Sequence, residues 1–184
     1  GYAKTGVTIM YMAEAMDAGD IITAKEIPVL DEDTASSLHD KLSVLGRDLL
    51  LQTLPSILNG TNKRIKQDES EATYGFNIKR EDEKLDFNKT KRQIVNQVRG
   101  LNAWPGAYCI FEDKIMKVWK CYRTDNLFEL AFPGQITALY EDGFGVKVSN
   151  GEVVFTEIQL AGKGKMKARD FINGHHDLVG KILK

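Results

Sequence analysis

The sequence is poor in several residue types and patterns on which whole classes of protein depend. Its 184 residues include two cysteines and three histidines. It has no run of about 18 apolar residues, which excludes a transmembrane helix, and no membrane partner is expected. The first residues, Gly-Tyr-Ala-Lys, are typical neither of a signal peptide nor of a start at an initiator methionine. We therefore expect the chain to begin inside a domain.

The cysteines and histidines are not spaced as metal ligands. Cys109 and Cys121 each stand in an apolar, strand-like context, and their spacing is not that of a zinc site. His175 and His176 are adjacent, without a cysteine or carboxylate at ligand spacing. We expect no metal, and we expect the two cysteines to be reduced and buried, as in a cytoplasmic protein.

Charge differs between the two halves of the chain. Residues 1–85 contain 10 Lys/Arg and 15 Asp/Glu, whereas residues 86–184 contain 15 Lys/Arg and 11 Asp/Glu. A basic second half is compatible with a polyanionic partner. A difference of this size is also common without any functional meaning, and composition alone favours that second explanation.

The first half predicts two strands and a long helix. Residues 5–20 read T-G-V-T-I-M-Y-M-A-E-A-M-D-A-G-D, a strand followed by an acidic loop of small residues, and a second apolar run follows at once. A helix capped by Thr34 or Asp33 should end near Gly60, with a break or kink at Pro55. Its apolar stripe predicts packing against a sheet. The stripe consists of Leu38, Leu42, Leu45, Leu49 and Leu50.

The second half predicts a short helix and a small β structure. Ile94, Val98 and Leu101 share one face of a helix over residues 90–101. Hairpin signals at 112–113, 141–143 and 150–151 separate five short strands, which is typical of a small barrel. We expect Trp104 and Tyr108 to fill the end of this barrel or a domain interface.

Four segments resemble methionyl-tRNA formyltransferases in order and spacing. They are residues 5–20, the helix pieces L-H-D-K-L-S and L-L-L-Q-T-L, the stretch from N-I-K-R-E-D-E-K-L-D-F to R-G-L-N-A-W-P-G-A-Y, and Q-L-A-G-K-G-K-M. The resemblance covers essentially the whole chain. The sequence departs from the family's usual pattern at Phe87, Ala103 and Gly164, and Gly164 removes one positive charge.

The resemblance implies a fold class of α/β followed by β. Residues 1–60 would be the C-terminal remnant of a Rossmann-like formyltransferase domain, residues 61–85 a linker, and residues 86–184 an OB-like β-barrel that binds tRNA. The family's Asn-x-His pair and Ser-Leu-Leu-Pro loop are expected upstream of Gly1. The chain by itself is therefore expected to be inactive.

The resemblance also implies a catalytic residue and a co-substrate loop. Asp17 aligns with the family's catalytic aspartate, and 10-formyltetrahydrofolate is the implied co-substrate. Without the family match, the better interpretation of Asp17 would be a turn residue. Asp20, in the same loop, is expected to accept hydrogen bonds from backbone amides. The residues implied in folate binding are Ala13, Glu14, Ala15, Met16 and Asp17.

The basic residues near the C-terminus are the implied contacts with initiator Met-tRNA. Lysines suit phosphate contact, which supplies affinity and orientation more than sequence readout. A lysine-rich surface loop is the alternative, and only the family match makes the tRNA interpretation the better one. The primary set is Lys163, Lys165, Lys167 and Arg169, and the secondary set is Lys91, Arg92 and Arg99.

Two other functions stay open. An amino-sugar nucleotide formyltransferase shares the acidic loop and the Trp-Pro-Gly-Ala motif, but a small acceptor needs no basic loop on the barrel. A tRNA-binding module without catalysis is the other alternative. The leading expectation is a monomeric cytoplasmic enzyme that formylates the α-amine of methionyl initiator tRNA.

Overall fold

The computed structural model describes residues 1–175 and 177–184 and shows two compact units. The first unit comprises Tyr2–Asn77 and the second Ile78–Lys184. The division falls inside the segment 61–85 that the sequence predicts to be a linker. Residues 61–77 therefore pack with the first unit.

The first unit is built from one hairpin and one long helix. Strands β1 (Lys4–Met10) and β2 (Ile21–Pro28) pair in antiparallel fashion, and helix α1 (Ala35–Leu58) packs on them. The two predicted strands and the predicted helix are confirmed. The pairing of β1 with β2 is antiparallel, whereas Rossmann-like sheets are mostly parallel, so the described strands do not by themselves display that fold.

Helix α1 begins and ends as predicted but does not break at Pro55. The Thr34 hydroxyl accepts from Ser37 N, and the Ser37 hydroxyl accepts from Thr34 N, which forms a capping box. Gly60 follows the helix with a left-handed φ of 66°. Pro55 deprives only the carbonyl of Leu51 of its helical donor. Because that position lies in the last turn, the helix continues to Leu58.

The second unit is a six-stranded antiparallel sheet with short helices. Its strand order is β3-β4-β7-β6-β5, with β8 paired to β7. The five predicted strands are confirmed, and β8 was missed because it has only two residues. The elements are α2 (Arg80–Glu83), α3 (Lys91–Gly100), β3 (Ala107–Phe111), β4 (Lys114–Arg123), β5 (Ile136–Leu139), β6 (Phe144–Val148), β7 (Gly151–Leu160), β8 (Met166–Lys167) and α4 (Ala168–Asn173).

Helix α3 covers one side of the sheet's apolar core. Thr90 caps it through a capping box with Gln93. Ile94 and Val98 are buried against the core, together with Leu101 just past the helix. The amphipathic face that the sequence predicts is therefore the face that packs.

The strand pairings do not close the sheet into a barrel. Within the described residues, β3 and β5 stand at opposite edges and are not paired with each other. The C-terminal residues bond to both edges instead. Lys184 exchanges two backbone hydrogen bonds with Ile110 in β3 (2.7 and 3.0 Å), and Lys181 O accepts from Ile136 N in β5 (2.8 Å). The strand pairings therefore do not confirm the predicted OB-like barrel, and they form an open strand path whose edges this tail covers.

The Trp-Pro turn before β3 also differs from expectation. Trp104 is 82% exposed, so the prediction that it fills the end of a barrel is wrong. Tyr108 is half-buried, with the Arg80 guanidinium 4.1 Å from the centre of its ring. Lys117 donates to the carbonyl of Pro105 (2.8 Å), and this bond holds the turn against β4.

Candidate functional site

The loop between β1 and β2, residues 11–20, has a narrow neck. Tyr11 N donates to Asp20 O across the neck (3.0 Å). Gly19 is buried there, and a Cβ at this position would lie 1.7 Å from the Tyr11 carbonyl oxygen. Since no side chain tolerates that distance to a non-bonded atom, the neck requires glycine.

Asp17 lies on the exposed part of this loop. Its backbone is left-handed, with a φ of 54°, a conformation that aspartate adopts more readily than most residues. Its carboxylate makes no hydrogen bond or ion pair with any other residue that the structure describes. The Asp17 carboxylate therefore does not cap the turn, and it is available to bind a ligand.

The tip of the loop is exposed and largely apolar. Ala13, Glu14, Ala15 and Met16 all face solvent, and Met16 is 89% exposed. Ala18 N approaches Ala15 O at 3.5 Å, which closes the tip into a turn. These residues can offer small apolar surface to a flat ligand beside the Asp17 carboxylate.

A segment from the predicted linker, residues 64–67, holds the loop in place. Ile65 and Ile21 exchange two backbone hydrogen bonds (2.8 and 2.9 Å) where the loop enters β2. The side-chain amide of Gln67 donates to the carbonyls of Asp17 (2.8 Å) and Gly19 (2.7 Å). The sequence does not indicate these residues, because nothing in a polar stretch points to a partner some fifty positions earlier.

The Asp20 side chain was expected to accept hydrogen bonds from backbone amides of the turn. The structure shows a different partner for it. Its carboxylate accepts from Arg64 Nε (3.1 Å). The Arg64 guanidinium also lies 4.3 Å from the centre of the Tyr11 ring. Arg64 is a better partner for the Asp20 carboxylate than the local amides, because its guanidinium bonds that carboxylate and stacks on the Tyr11 ring at the same time.

The predicted basic residues near the C-terminus lie on one exposed stretch, the basic loop, residues 162–169. Lys163 and Lys165 are in the turn after β7, Lys167 is in β8, and Arg169 is in α4. All four side chains are exposed. The pairing of Lys167 with Glu157 ties the far end of the loop to β7.

Trp119, in β4, contacts the basic loop. A bulge in β4 places Trp119 outside the register, between Val118 and Lys120, and bulges re-aim side chains in this way. The Lys165 ammonium lies 3.6 Å from the centre of its ring. Trp119 Nε1 donates to Gln159 Oε1 (3.1 Å), and Gln159 Nε2 donates to Lys163 O (2.8 Å). Trp119 therefore contacts the loop both directly and through Gln159.

The secondary basic residues, all on α3, do not join this cluster as a group. Lys91 starts the helix and donates to the Thr124 carbonyl (2.7 Å). Asn102, past the opposite end of the helix, bonds to Trp119 O (2.7 Å). Ten helical residues span about 15 Å, so Lys91 lies far from the basic loop. Arg92 is exposed beside Lys91, and Arg99 donates to Asn96 Oδ1 (2.9 Å).

Comparison with known proteins decides the family. The family model described as "Formyl transferase, C-terminal domain" matches residues 77–176, and the model described as "Formyl transferase" matches residues 1–54. The chain belongs to the formyl transferase family. The Asp17 loop falls within the match over residues 1–54. Nearly all of the match over residues 77–176 lies in the second unit. Residues 64–67 lie between the two matches.

Relatives and solved structures agree with this assignment. A methionyl-tRNA formyltransferase of Bacillus velezensis is 45% identical over all of this chain and 58% of the relative. HypX from Aquifex aeolicus, solved with tetrahydrofolic acid, has a TM-score of 0.71 at 19% identity over 96% of this chain and 31% of that one. An N-formyltransferase from Helicobacter canadensis, solved with folinic acid and dTDP-3-aminofucose, has a TM-score of 0.64 at 22% identity over 83% and 55%. These two structures show the shared formyl transferase fold.

The match is partial in the other direction. The chain spans less than three fifths of the length of the curated relatives that it matches. Membership of the formyl transferase family is therefore shown for the part present, and the activity of the whole relatives is a matter for proposal.

No set of residues in the described part of this formyl transferase chain could hold a metal ion as a group of three or more His, Cys, Asp or Glu. His175 stacks on Phe171 with ring centres 4.1 Å apart. His176 lies outside the described residues. Burial raises the pKa of the Cys109 and Cys121 thiols to about 12, and both are free cysteines.

Among the described residues, no helix has the length and apolar character needed to cross a bilayer.

A groove of about 660 Å³ lies beside the basic loop. Its charges are mixed, since Lys120 pairs with Glu157 at 3.2 Å, and it does not favour a ligand of either sign. The lining includes Lys120, Tyr122, Tyr140, Asp142, Lys167 and Arg169.

Proposed function

We propose that this chain contributes to an enzyme that transfers a formyl group from 10-formyltetrahydrofolate to the α-amine of methionyl initiator tRNA. The observation that carries the proposal is the exposed Asp17 carboxylate, unpaired among the described residues, in a formyl transferase whose relatives are named methionyl-tRNA formyltransferases. We infer with it a cytoplasmic monomer, with a first unit derived from a Rossmann-like domain and a second unit of OB-like ancestry.

Asp17 would act in proton transfer. An α-amine has a reference pKa near 7.7–8.0, so roughly a tenth to a sixth of it is neutral and nucleophilic at pH 7. After attack on the formyl carbon, the amine must lose a proton and the folate nitrogen must gain one. A carboxylate beside an imidazole can hold that ring in the useful protonation state and order a bridging water. We assign this role to Asp17, with the family's histidine and asparagine as acid/base and oxyanion donor.

The loop tip would bind the co-substrate. Ala13, Ala15 and Met16 offer small apolar surface next to Asp17, and Glu14 offers a second carboxylate for ring nitrogens. The tetrahydrofolic acid bound in HypX supports a folate as co-substrate. Binding at this tip would place the pterin ring within reach of the Asp17 side chain.

The basic loop would bind the acceptor arm of the tRNA. Lys163, Lys165, Lys167 and Arg169 are exposed on one stretch, and such contacts add affinity and orientation. Of the secondary residues, Arg92 and Arg99 stay in the proposal as weaker contacts. Lys91 is the weakest, because its ammonium already bonds to the Thr124 carbonyl.

The deciding experiment compares acceptors. The gene product that contains this chain is assayed for formyl transfer to initiator Met-tRNA and to a nucleotide-linked amino sugar. Transfer to Met-tRNA alone is the expected result. Transfer to the sugar alone would keep Asp17 and overturn the tRNA assignment, and tRNA binding without transfer to either would favour a binding module.

Asp17 is tested with a matched aspartate. Asp113 is also exposed and left-handed, with a φ of 60° in the β3–β4 turn. Asp17→Asn should lower the rate at least about 100-fold, because the acid/base imidazole loses the carboxylate that holds it in the useful protonation state, while Asp113→Asn should leave it unchanged. A rate within a few-fold of wild type for Asp17→Asn would remove it from the mechanism.

The basic loop is tested as a unit. Replacing Lys163, Lys165 and Lys167 with alanine should weaken tRNA binding and reduce the salt slope by about 0.9 for each phosphate that is no longer neutralised. The control replaces three exposed lysines outside the loop: Lys25, Lys63 and Lys114. Equal affinity and slope in the two triple variants would exclude this surface.

A further inference from the structure

The side-chain amide of Gln67 is fully used as a donor. An amide NH₂ group has two hydrogens, and Gln67 Nε2 lies 2.8 Å from Asp17 O and 2.7 Å from Gly19 O. The two acceptors are the carbonyls of alternate loop residues, Asp17 and Gly19. The nitrogen also lies 3.7 Å from the sulfur of Met10, the last residue of β1. One side chain thus contacts the start and the functional end of the loop.

The two carbonyls are those whose direction depends on a costly backbone conformation. Asp17 is left-handed, with a φ of 54°, a conformation that is strained for a residue with a Cβ. Gly19 is pressed against the Tyr11 carbonyl. Hydrogen bonds to Asp17 O and Gly19 O hold this path together, because a relaxed Asp17 backbone would turn its carbonyl away from Gln67.

Gln67 itself is held on a fixed base. Two residues earlier, Ile65 is bonded to Ile21 in both directions (2.8 and 2.9 Å). Arg64 adds the bond to Asp20 and the contact with the Tyr11 ring. The 64–67 segment therefore joins the hairpin at the loop's base and projects one amide onto its carbonyls.

We propose that Gln67 is a positioning residue that fixes the backbone of Asp17, so that the Asp17 carboxylate is held ready for formyl transfer. This inference rests on the proposed function of Asp17. Gln67 touches neither the Asp17 carboxylate nor any reacting group, and it acts through backbone carbonyls alone. A displacement of about 1 Å at a catalytic group can lower a rate by about 100-fold. Loss of both hydrogen bonds should therefore lower kcat by a larger factor than it weakens substrate binding.

The test uses side chains that separate length from hydrogen bonding. Gln67→Met keeps the length and the contact with Met10 but removes both donors. Gln67→Lys restores an amine that can donate to both carbonyls. Gln52→Met, at an exposed position of α1, is the control for the chemical change. For each protein, kcat and KM for initiator Met-tRNA, the melting temperature and amide hydrogen exchange over residues 11–20 are measured.

The expected result is a 10- to 100-fold fall in kcat for Gln67→Met, with KM for Met-tRNA within two-fold and faster exchange in the loop. Gln67→Lys should recover most of the rate, and Gln52→Met should equal wild type. A kcat within two-fold of wild type for Gln67→Met would overturn the proposal, as would an equal fall in Gln67→Lys. If wild type transfers formyl to no acceptor, the proposed function fails, and unchanged loop exchange in Gln67→Met would then separately overturn the positioning role.

Discussion

The Lys165 ammonium, on the basic loop, lies 3.6 Å from the centre of the Trp119 ring. A cation over an indole contributes about 0.5–1 kcal/mol at exposed sites and more when it is desolvated. Lys165, one of the predicted phosphate contacts, therefore also stabilises the conformation of the basic loop. The shape and the charge of this surface can be separated by mutation.

Replacing Trp119 should weaken tRNA binding without removing charge. Trp119→Leu removes both the Lys165 interaction and the bond to Gln159, so the loop becomes mobile and affinity falls by about three- to ten-fold. The salt slope should stay within about 0.3 of wild type, since every lysine remains. Lys163→Ala should instead reduce the slope by about 0.9. Binding titrations at several salt concentrations check both, and a reduced slope in Trp119→Leu would contradict this separation.

The neck of the Asp17 loop should not tolerate any side chain. In Gly19→Ala the new Cβ would meet the Tyr11 carbonyl oxygen at 1.7 Å, so the loop must move. We expect the unfolding free energy to fall by about 1–3 kcal/mol, together with loss of formyl transfer. Gly100→Ala is the control, because nothing lies within 4 Å of its Cβ. A Gly19→Ala protein with wild-type stability and activity would show that the neck is not required.

Local signals predicted most of the elements. The left-handed pair Glu112 and Asp113 turns β3 into β4, and Thr90 starts α3, because each depends on neighbours within a few residues. The Asn150–Gly151 signal was correct to one residue. Val148 pairs with Gly151, so the turn is Ser149–Asn150, and Asn150 is used to accept from Lys91 N at the start of α3 (2.8 Å).

Interactions between residues that are distant in the chain could not be predicted from the sequence. Gln67 is one polar residue in a polar stretch, and its role exists only because α1 returns the chain to the loop. In the sequence, Trp119 is indistinguishable from an ordinary strand residue. Its contact with Lys165 depends on the bulge in β4, which the sequence does not indicate. The tail over Lys181 and Lys184 covers both sheet edges through backbone atoms, which every sequence possesses. The position of Asp17 was predictable from the family, whereas the residues that hold it were not.

Glu152 should be a strong contributor to the stability of the second unit. It is fully buried, and its carboxylate accepts from Thr124 (2.8 Å), Tyr140 (2.5 Å) and Thr137. Glu152→Gln would turn an amide donor toward these hydroxyls, and leaving a buried polar group unsatisfied costs about 1–3 kcal/mol. Urea unfolding measures the loss. Glu129→Gln, at an exposed position, should change nothing.

The same variant should change the titration of Tyr140. Burial, and then the hydrogen bond to the Glu152 carboxylate, raises the pKa of Tyr140 to about 12. In Glu152→Gln that carboxylate is gone, so the pKa of Tyr140 should fall toward its usual value near 10. Ultraviolet titration of the tyrosinates follows this change. An unchanged Tyr140 titration in Glu152→Gln would assign the shift to burial alone.

Acid should unfold the start of α1 through Asp33. The hydrogen bond from Lys41 (2.6 Å), followed by those from Leu30 N (2.9 Å) and the Ser37 hydroxyl (2.8 Å), lowers the pKa of Asp33 to about 2. The unfolded value is near 3.9. Because the folded pKa is the lower one, the stabilisation is fully present above the unfolded pKa and is lost as the pH falls from about 4 to about 2.

Asp33→Asn should therefore be less stable than wild type at pH 7 and approach it near pH 2. Urea unfolding followed by helical circular dichroism at pH 7, 4, 3 and 2 measures the difference between the two proteins at each pH. Glu32→Gln, at the exposed neighbouring position, controls for the loss of one carboxylate in this turn. A difference between Asp33→Asn and wild type that stays constant over the whole range would show that the ionised Asp33 carboxylate is not what stabilises the helix start.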